Sequence, residues 1–224
     1  MKIWAVGAFS ALTIVGMAVS APAADRHIVD GDLTLFGLTI GKSAPLPNCV
    51  VTTVDVSGIF QPKMMQSKWA MPAGADGCVD VIPPASVFGV ELGAGQSAAL
   101  LKYVKPLPLF VSPGMDSVAA ILEPDSIIAV LNIKTGGYDM QELTFAALKD
   151  KFGEPTVSLI SKRQNGYGAV YDIIEAGWKF SSGATLEFDG ITGNLHTGLI
   201  VAKSAATIAK ESSVPPIDSR SVKF

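Results

Sequence analysis

The stretch Asp139-Met-Gln-Glu-Leu-Thr-Phe-Ala-Ala-Leu-Lys-Asp-Lys-Phe-Gly-Glu-Pro155 decides the fold class. Met140, Leu143, Ala147, Leu148 and Phe152 recur at helical spacing and share one face. Asp139 and Glu142 form a capping-box-like pair, and Gly153 with Pro155 supplies the stop. Five short β-prone runs follow, at 156–160, 169–174, 178–181, 185–188 and 195–201, separated by Gly, Asn or Asp. Asp189-Gly190 and Gly193-Asn194 are turn dipeptides, and Glu175-Ala176-Gly177 reads as a tight link. A helix that feeds an antiparallel meander predicts an α+β domain.

Upstream, residues 33–41 alternate apolar with small or polar side chains, as a half-buried strand ending at Gly41 does, and Pro45 and Pro47 break it. The β-branched run 49–56 predicts a second strand, 58–84 a loop, and 87–92 a further short strand. Ser97 can cap a short helix over 97–104 that Pro106 would end. Residues 117–122 and 127–133 predict two strands joined by Glu123-Pro124-Asp125-Ser126, where the proline pre-sets a turn. A brief helix is expected over 203–211 and a mobile tail, with Pro215-Pro216, over 212–224. Ala98-Ala99-Leu100 before Lys102, Val104 and Pro106 echoes Ala146-Ala147-Leu148 before Lys149, Phe152 and Pro155. The echo suggests a degenerate duplication of a small αβ unit, with halves 25–115 and 116–211. The expected architecture is antiparallel sheets packed with two short helices.

The ends of the chain address compartment. Lys2, an uncharged and mostly apolar run to Val19, and Ser20-Ala21-Pro22-Ala23-Ala24 have the order of a secretory signal peptide over residues 1–24, with cleavage after Ala23 or Ala24. The alternative is an uncleaved anchor, since 3–24 is nominally long enough to span a bilayer. Cleavage removes Lys2 and no acid, which takes the formal charge of -3 to about -4. That balance leaves no basic footprint for nucleic acid. Beyond Asp25 no apolar stretch approaches the roughly 20 residues of a spanning helix. Cys49 and Cys78 are the only cysteines, and an even pair in an exported chain predicts a disulfide closing the segment between them. A redox pair would usually be Cys-x-x-Cys, and a zinc site would need further ligands.

The capped helix ending Phe152-Gly153-Glu154-Pro155, followed by strands carrying Tyr171, Trp178 and the Leu186-Glu187-Phe188-Asp189-Gly190 hairpin, resembles small bacterial envelope domains of the β-lactamase-inhibitor-like and SmpA outer-membrane-assembly type. The resemblance covers about residues 138–201. The lipoprotein cysteine of the SmpA-type proteins and their helix pair before the strands are missing. What it implies is a non-catalytic fold whose sheet face binds another protein.

Signals for chemistry are sparse. His27 and His196 are the only histidines, the first near the expected cleavage point and the second at the start of the last expected strand. No Gly-x-Ser-x-Gly elbow occurs, and Gly41-Lys42-Ser43 lacks the leading glycine of a phosphate loop, which would stand where Phe36 is. Glu187 and Asp189 flank a turn, where solvated carboxylates are ordinary. The most unusual segment is 60–71, where Met64, Met65, Trp69 and Met71 offer adaptable contacts beside the cations Lys63 and Lys68. The other reading of these residues is that they cap the core. Arg163 and Tyr167, in the polar loop 162–168, form a second candidate surface for acidic groups of a partner. The reading is an exported, periplasmic or secreted, binding or envelope-accessory protein, with another envelope protein as partner and no cofactor. The alternatives are an envelope hydrolase and, further off, a copper(I) carrier using the thioethers of Met64, Met65 and Met71.

Overall fold

The computed structural model describes the backbone of residues 27–55, 65–82, 92–103, 117–164 and 166–213, with side chains except at 51–55 and 65–69. The leader 1–24, Lys63, Met64, residues 87–91 of the strand expected over 87–92, and 214–224 of the tail lie outside the described residues. In chain order the strands are β1 (Ile28–Val29), β2 (Thr34–Leu35), β3 (Leu38–Thr39), β4 (Val50–Asp55), β5 (Met65–Ala70), β6 (Gly77–Ile82), β7 (Ser97–Tyr103), β8 (Ser117–Glu123) and β9 (Ile127–Thr135). Helix α1 (Gln141–Phe152) follows a 3-10 turn, Gly137–Met140, and leads to β10 (Val157–Gln164), β11 (Val170–Phe180), β12 (Thr185–Asp189), β13 (Gly198–Lys203) and α2 (Ala205–Ser213).

One nine-stranded sheet runs β1-β11-β12-β13-β9-β8-β7-β6, and β10 pairs with β11 on the edge that β1 also uses. All its pairings are antiparallel except the two-residue β1 against β11. The α+β expectation therefore holds, with a mixed sheet. The sheet's inner face presents Val79, Leu101, Val118, Leu131, Ile133, Trp178, Leu186, Phe188 and Ile200, and is covered by Leu148 and Phe152 of α1 and by Leu33, Leu35, Leu38 and Ile40 around the β2–β3 hairpin. Trp178 is fully buried, its Nε1–H donating to the Gly153 carbonyl at 3.0 Å, so the core tryptophan also ties down the end of α1.

Several expectations are corrected. Residues 97–103 are strand β7, not a helix. Pairing with β6 and β8 on both sides overrides the helical preference of Ala-Ala-Leu-Leu. The echo of two helices thus fails at its first copy. The run 33–41 is a hairpin, turning at Phe36 (φ 53°) and Gly37 (φ 77°). The link at 175–177 is no turn, because β11 passes straight through it, and β10 extends to Gln164. The expected loop 58–84 contains β5 and β6. The last strand begins at Gly198, leaving Leu195 and His196 in the turn before it. Helix α1 starts at Gln141 with no side-chain cap from Met140, and buries Gln141, Thr144, Leu148 and Phe152 while Leu143 is exposed. The terminal helix reaches Ser213, so Ser212 and Ser213 belong to it rather than to the tail.

Candidate functional site: an open sheet edge

The two edges of the large sheet are treated differently. At β6, the segment before β4 lies alongside in a parallel bridge, Asn48 to Val79. The Cys49 N–H donates to the Val79 carbonyl and the Val79 N–H to the Pro47 carbonyl, both at 2.8 Å. The expected disulfide, Cys49–Cys78, fastens that cover, with Cα atoms 4.9 Å apart. At the other edge, among the described residues, no strand pairs with the outer side of β10. Natural sheets normally cover, shorten or charge such an edge, because its unpaired backbone groups template further pairing.

Which backbone groups of β10 face outwards follows from strand alternation. On β11 the carbonyl of Ile174 accepts from Gly190 N–H, at the end of β12, so even-numbered residues of β11 turn their backbone groups towards β12. Lys179 N–H, on the odd set, donates to Thr156 Oγ1 on the opposite edge, which agrees. The odd residues of β11 therefore bond to β10, and the register pairs them with Val157, Leu159, Ser161 and Arg163. The N–H and C=O groups of Ser158, Ile160 and Lys162 are left pointing away from the sheet.

The side chains around that edge are apolar. Val157, Leu159 and Ile160 are 63%, 56% and 65% exposed, on both faces of the strand. The two cations that would ordinarily guard such an edge are folded back. Lys162 pairs with Asp172 on β11 at 2.7 Å. Arg163 reaches across β11 to Asp189 on β12 at 3.1 Å, to Glu175 at 3.2 Å and to the Ile191 carbonyl at 2.6 Å. The hydrogen bond to Asp189 is the main cause that raises the Arg163 guanidinium above its ordinary range, so it stays charged and engaged. Shallow grooves flank the strand on each face. One, of about 440 Å³, lies between Ile160, Asp172 and Ile174 and the start of α1, and the other, of about 430 Å³, lies over Val157, Leu159 and Glu175.

Comparison of the chain with protein-family models, curated proteins and solved structures finds no match. The site therefore rests on its own geometry.

The candidate residues read from the sequence are scattered by the fold. Met65, Lys68 and Trp69 sit on β5, whose register sets Trp69 opposite Val51 and Lys68 opposite Thr52. The β4–β5 ribbon joins no other described strand, and Met71 follows it half-buried. Arg163 is at the open edge, where it pairs with Glu175 and Asp189 of its own sheet. Tyr167 is fully exposed at the β10–β11 turn. His27 and His196 are exposed and lie in different loops; His196 donates its N–H to Asn194 Oδ1. Among the described residues no cluster of three or more His, Cys, Asp or Glu could hold a metal ion, and no helix is long and apolar enough to cross a membrane. The sequence reading passed over Val157, Leu159 and Ile160. Their signal was the β-prone run 156–160, which only the strand order reveals as an edge.

Proposed function

We propose that this is an exported, periplasmic or secreted, binding or envelope-accessory protein without catalytic activity, which engages another polypeptide by strand addition to β10. The carrying observation is the open edge: an eight-residue strand with apolar side chains exposed on both faces, outward backbone groups, and both cations turned inwards. Strand addition draws affinity from main-chain hydrogen bonds and specificity from the alternate side chains beside them. The disulfide supports an oxidising compartment. The resemblance of residues 138–201 to small envelope domains points to the same class of role.

Capture of envelope polypeptides on the immobilised protein tests the reading. Ile160→Pro removes an outward N–H that no internal ladder bond uses, so capture should fall by about tenfold or more while the melting temperature stays within a few degrees. Hydrogen exchange should show the amides of Ser158, Ile160 and Lys162 gaining protection in the complex. Capture unaffected by Ile160→Pro but lost on Trp69→Ala with Met65→Ala would move the site to the β4–β5 ribbon.

A further inference from the structure

We infer that the occupant of the β10 edge is a second copy of this chain, paired antiparallel about a two-fold axis passing through Ile160. The inference rests on the strand-addition reading above and names its partner. A two-fold axis normal to the sheet keeps each face continuous, so odd residues meet odd and even meet even. The outward backbone groups belong to the even residues, and with the axis at Ile160 they find mates. Ile160 exchanges both bonds with the partner's Ile160, and Ser158 does so with the partner's Lys162.

The side chains agree with that register. On one face the two Ile160 side chains come together beside the groove that Ile174 lines with Tyr138, Asp139, Gln141, Glu142 and Asp172. On the other, Leu159 lies opposite the partner's Ser161, and Val157 opposite the partner's Arg163. No like charges stand opposite or diagonal to each other. An axis at Lys162 would oppose two ammonium groups, one at Ser161 would set them on the diagonal, and one at Leu159 would leave residues 162–164 facing chain that precedes the strand. The inward lean of Lys162 onto Asp172, and of Arg163 onto Glu175 and Asp189, clears the edge on both copies without unpaired charge. Charges that could have repelled a second copy are thus already spent within each sheet.

An eight-residue strand pair with its flanking side chains should bury less than the roughly 1,200 Å² of a standard stable interface, which places the dimer in the weak, micromolar class. Sedimentation equilibrium of the chain purified from the exported fraction should show a monomer–dimer equilibrium in that range. Ile160→Lys and Ile160→Glu, each introducing like charges across the axis, should each weaken it by about tenfold or more with melting unchanged. An equimolar mixture of the two variants should recover association, which a folding defect could not produce. A wild-type chain that stays monomeric, a dimer indifferent to both substitutions, or a mixture that fails to recover would each overturn the proposal. A monomer whose β10 amides still gain protection from a different polypeptide overturns the second copy and leaves strand addition standing. A monomer whose β10 gains none overturns both.

Discussion

Where β12 ends at Asp189, β11 continues back towards Val170 with backbone groups that have lost their neighbour. The amide of Gln141, near the start of α1, takes the vacant place. Its Nε2 donates to the Asp172 carbonyl at 2.8 Å, and its Oε1 accepts from Ile174 N–H at 3.0 Å. The side chain is 5% exposed, so water cannot easily replace it. Gln141→Ala leaves a part-buried donor and acceptor unmatched and should cost about 1–3 kcal/mol, read as a lower urea midpoint with unchanged slope. No change in midpoint would show that solvent serves those groups. At this scale the sequence was least informative. Gln141 looked like any polar residue in a first helical turn, because its partners lie 31 and 33 residues away. The core residues Leu148 and Phe152 were legible from helical spacing and type, since apolar burial is a property of the side chain itself, whereas the role of Arg163 depended on which strands lay across from it.

Among the elements, α2 is held by few and polar contacts. Ser204 Oγ accepts from Thr207 N–H at its start, Lys210 meets Glu123 at 2.7 Å, and Lys203 meets Glu211 at 2.9 Å. The hydrogen bond from Lys210, with a second from Gln96, holds the Glu123 carboxyl below its usual range. A carboxyl lowered on folding contributes stability above its ordinary pKa and loses it as the pH falls through the folded value. The docking of α2 should therefore loosen in acid, seen as faster proteolysis within 205–213 on going from neutral pH to below the carboxylate range. Glu123→Gln should abolish most of that pH dependence, and a helix whose cleavage does not change with pH would refute the assignment. The same scale shows what patterning could and could not give. The strands at 117–122, 127–133 and 185–188 were legible because their turn chemistry is local: Pro124 opens the 3-10 turn between β8 and β9, and Asp189-Gly190 closes β12. The stretch 97–104 was misread because its alanines suit a helix in isolation but also let β7 sit between two strands, and that choice is made by tertiary pairing.

Across the whole molecule, the α+β class and the disulfide could be read from the chain, while the single long sheet and its unequal edges could not, because strand order is set by contacts between distant segments. Reducing Cys49–Cys78 removes a closure spanning 29 residues and should lower stability by about 3 kcal/mol, measured as a drop in melting temperature in thiol buffer; a melt unaffected by reductant would mean the bridge adds nothing to the fold. The consequence extends beyond stability. Among the described residues, Pro47, Asn48 and Cys49 are what bonds along the outer side of Val79, and a reduced chain should release them from it. A body with one adhesive border can only couple once and stop; with a border at each end it becomes a link, and links concatenate. Light scattering of the reduced chain should then climb steadily into fibre-length species, where the oxidised chain levels off. On the dimer we propose, a single sulfur–sulfur bond would hold the number of pairing edges at one.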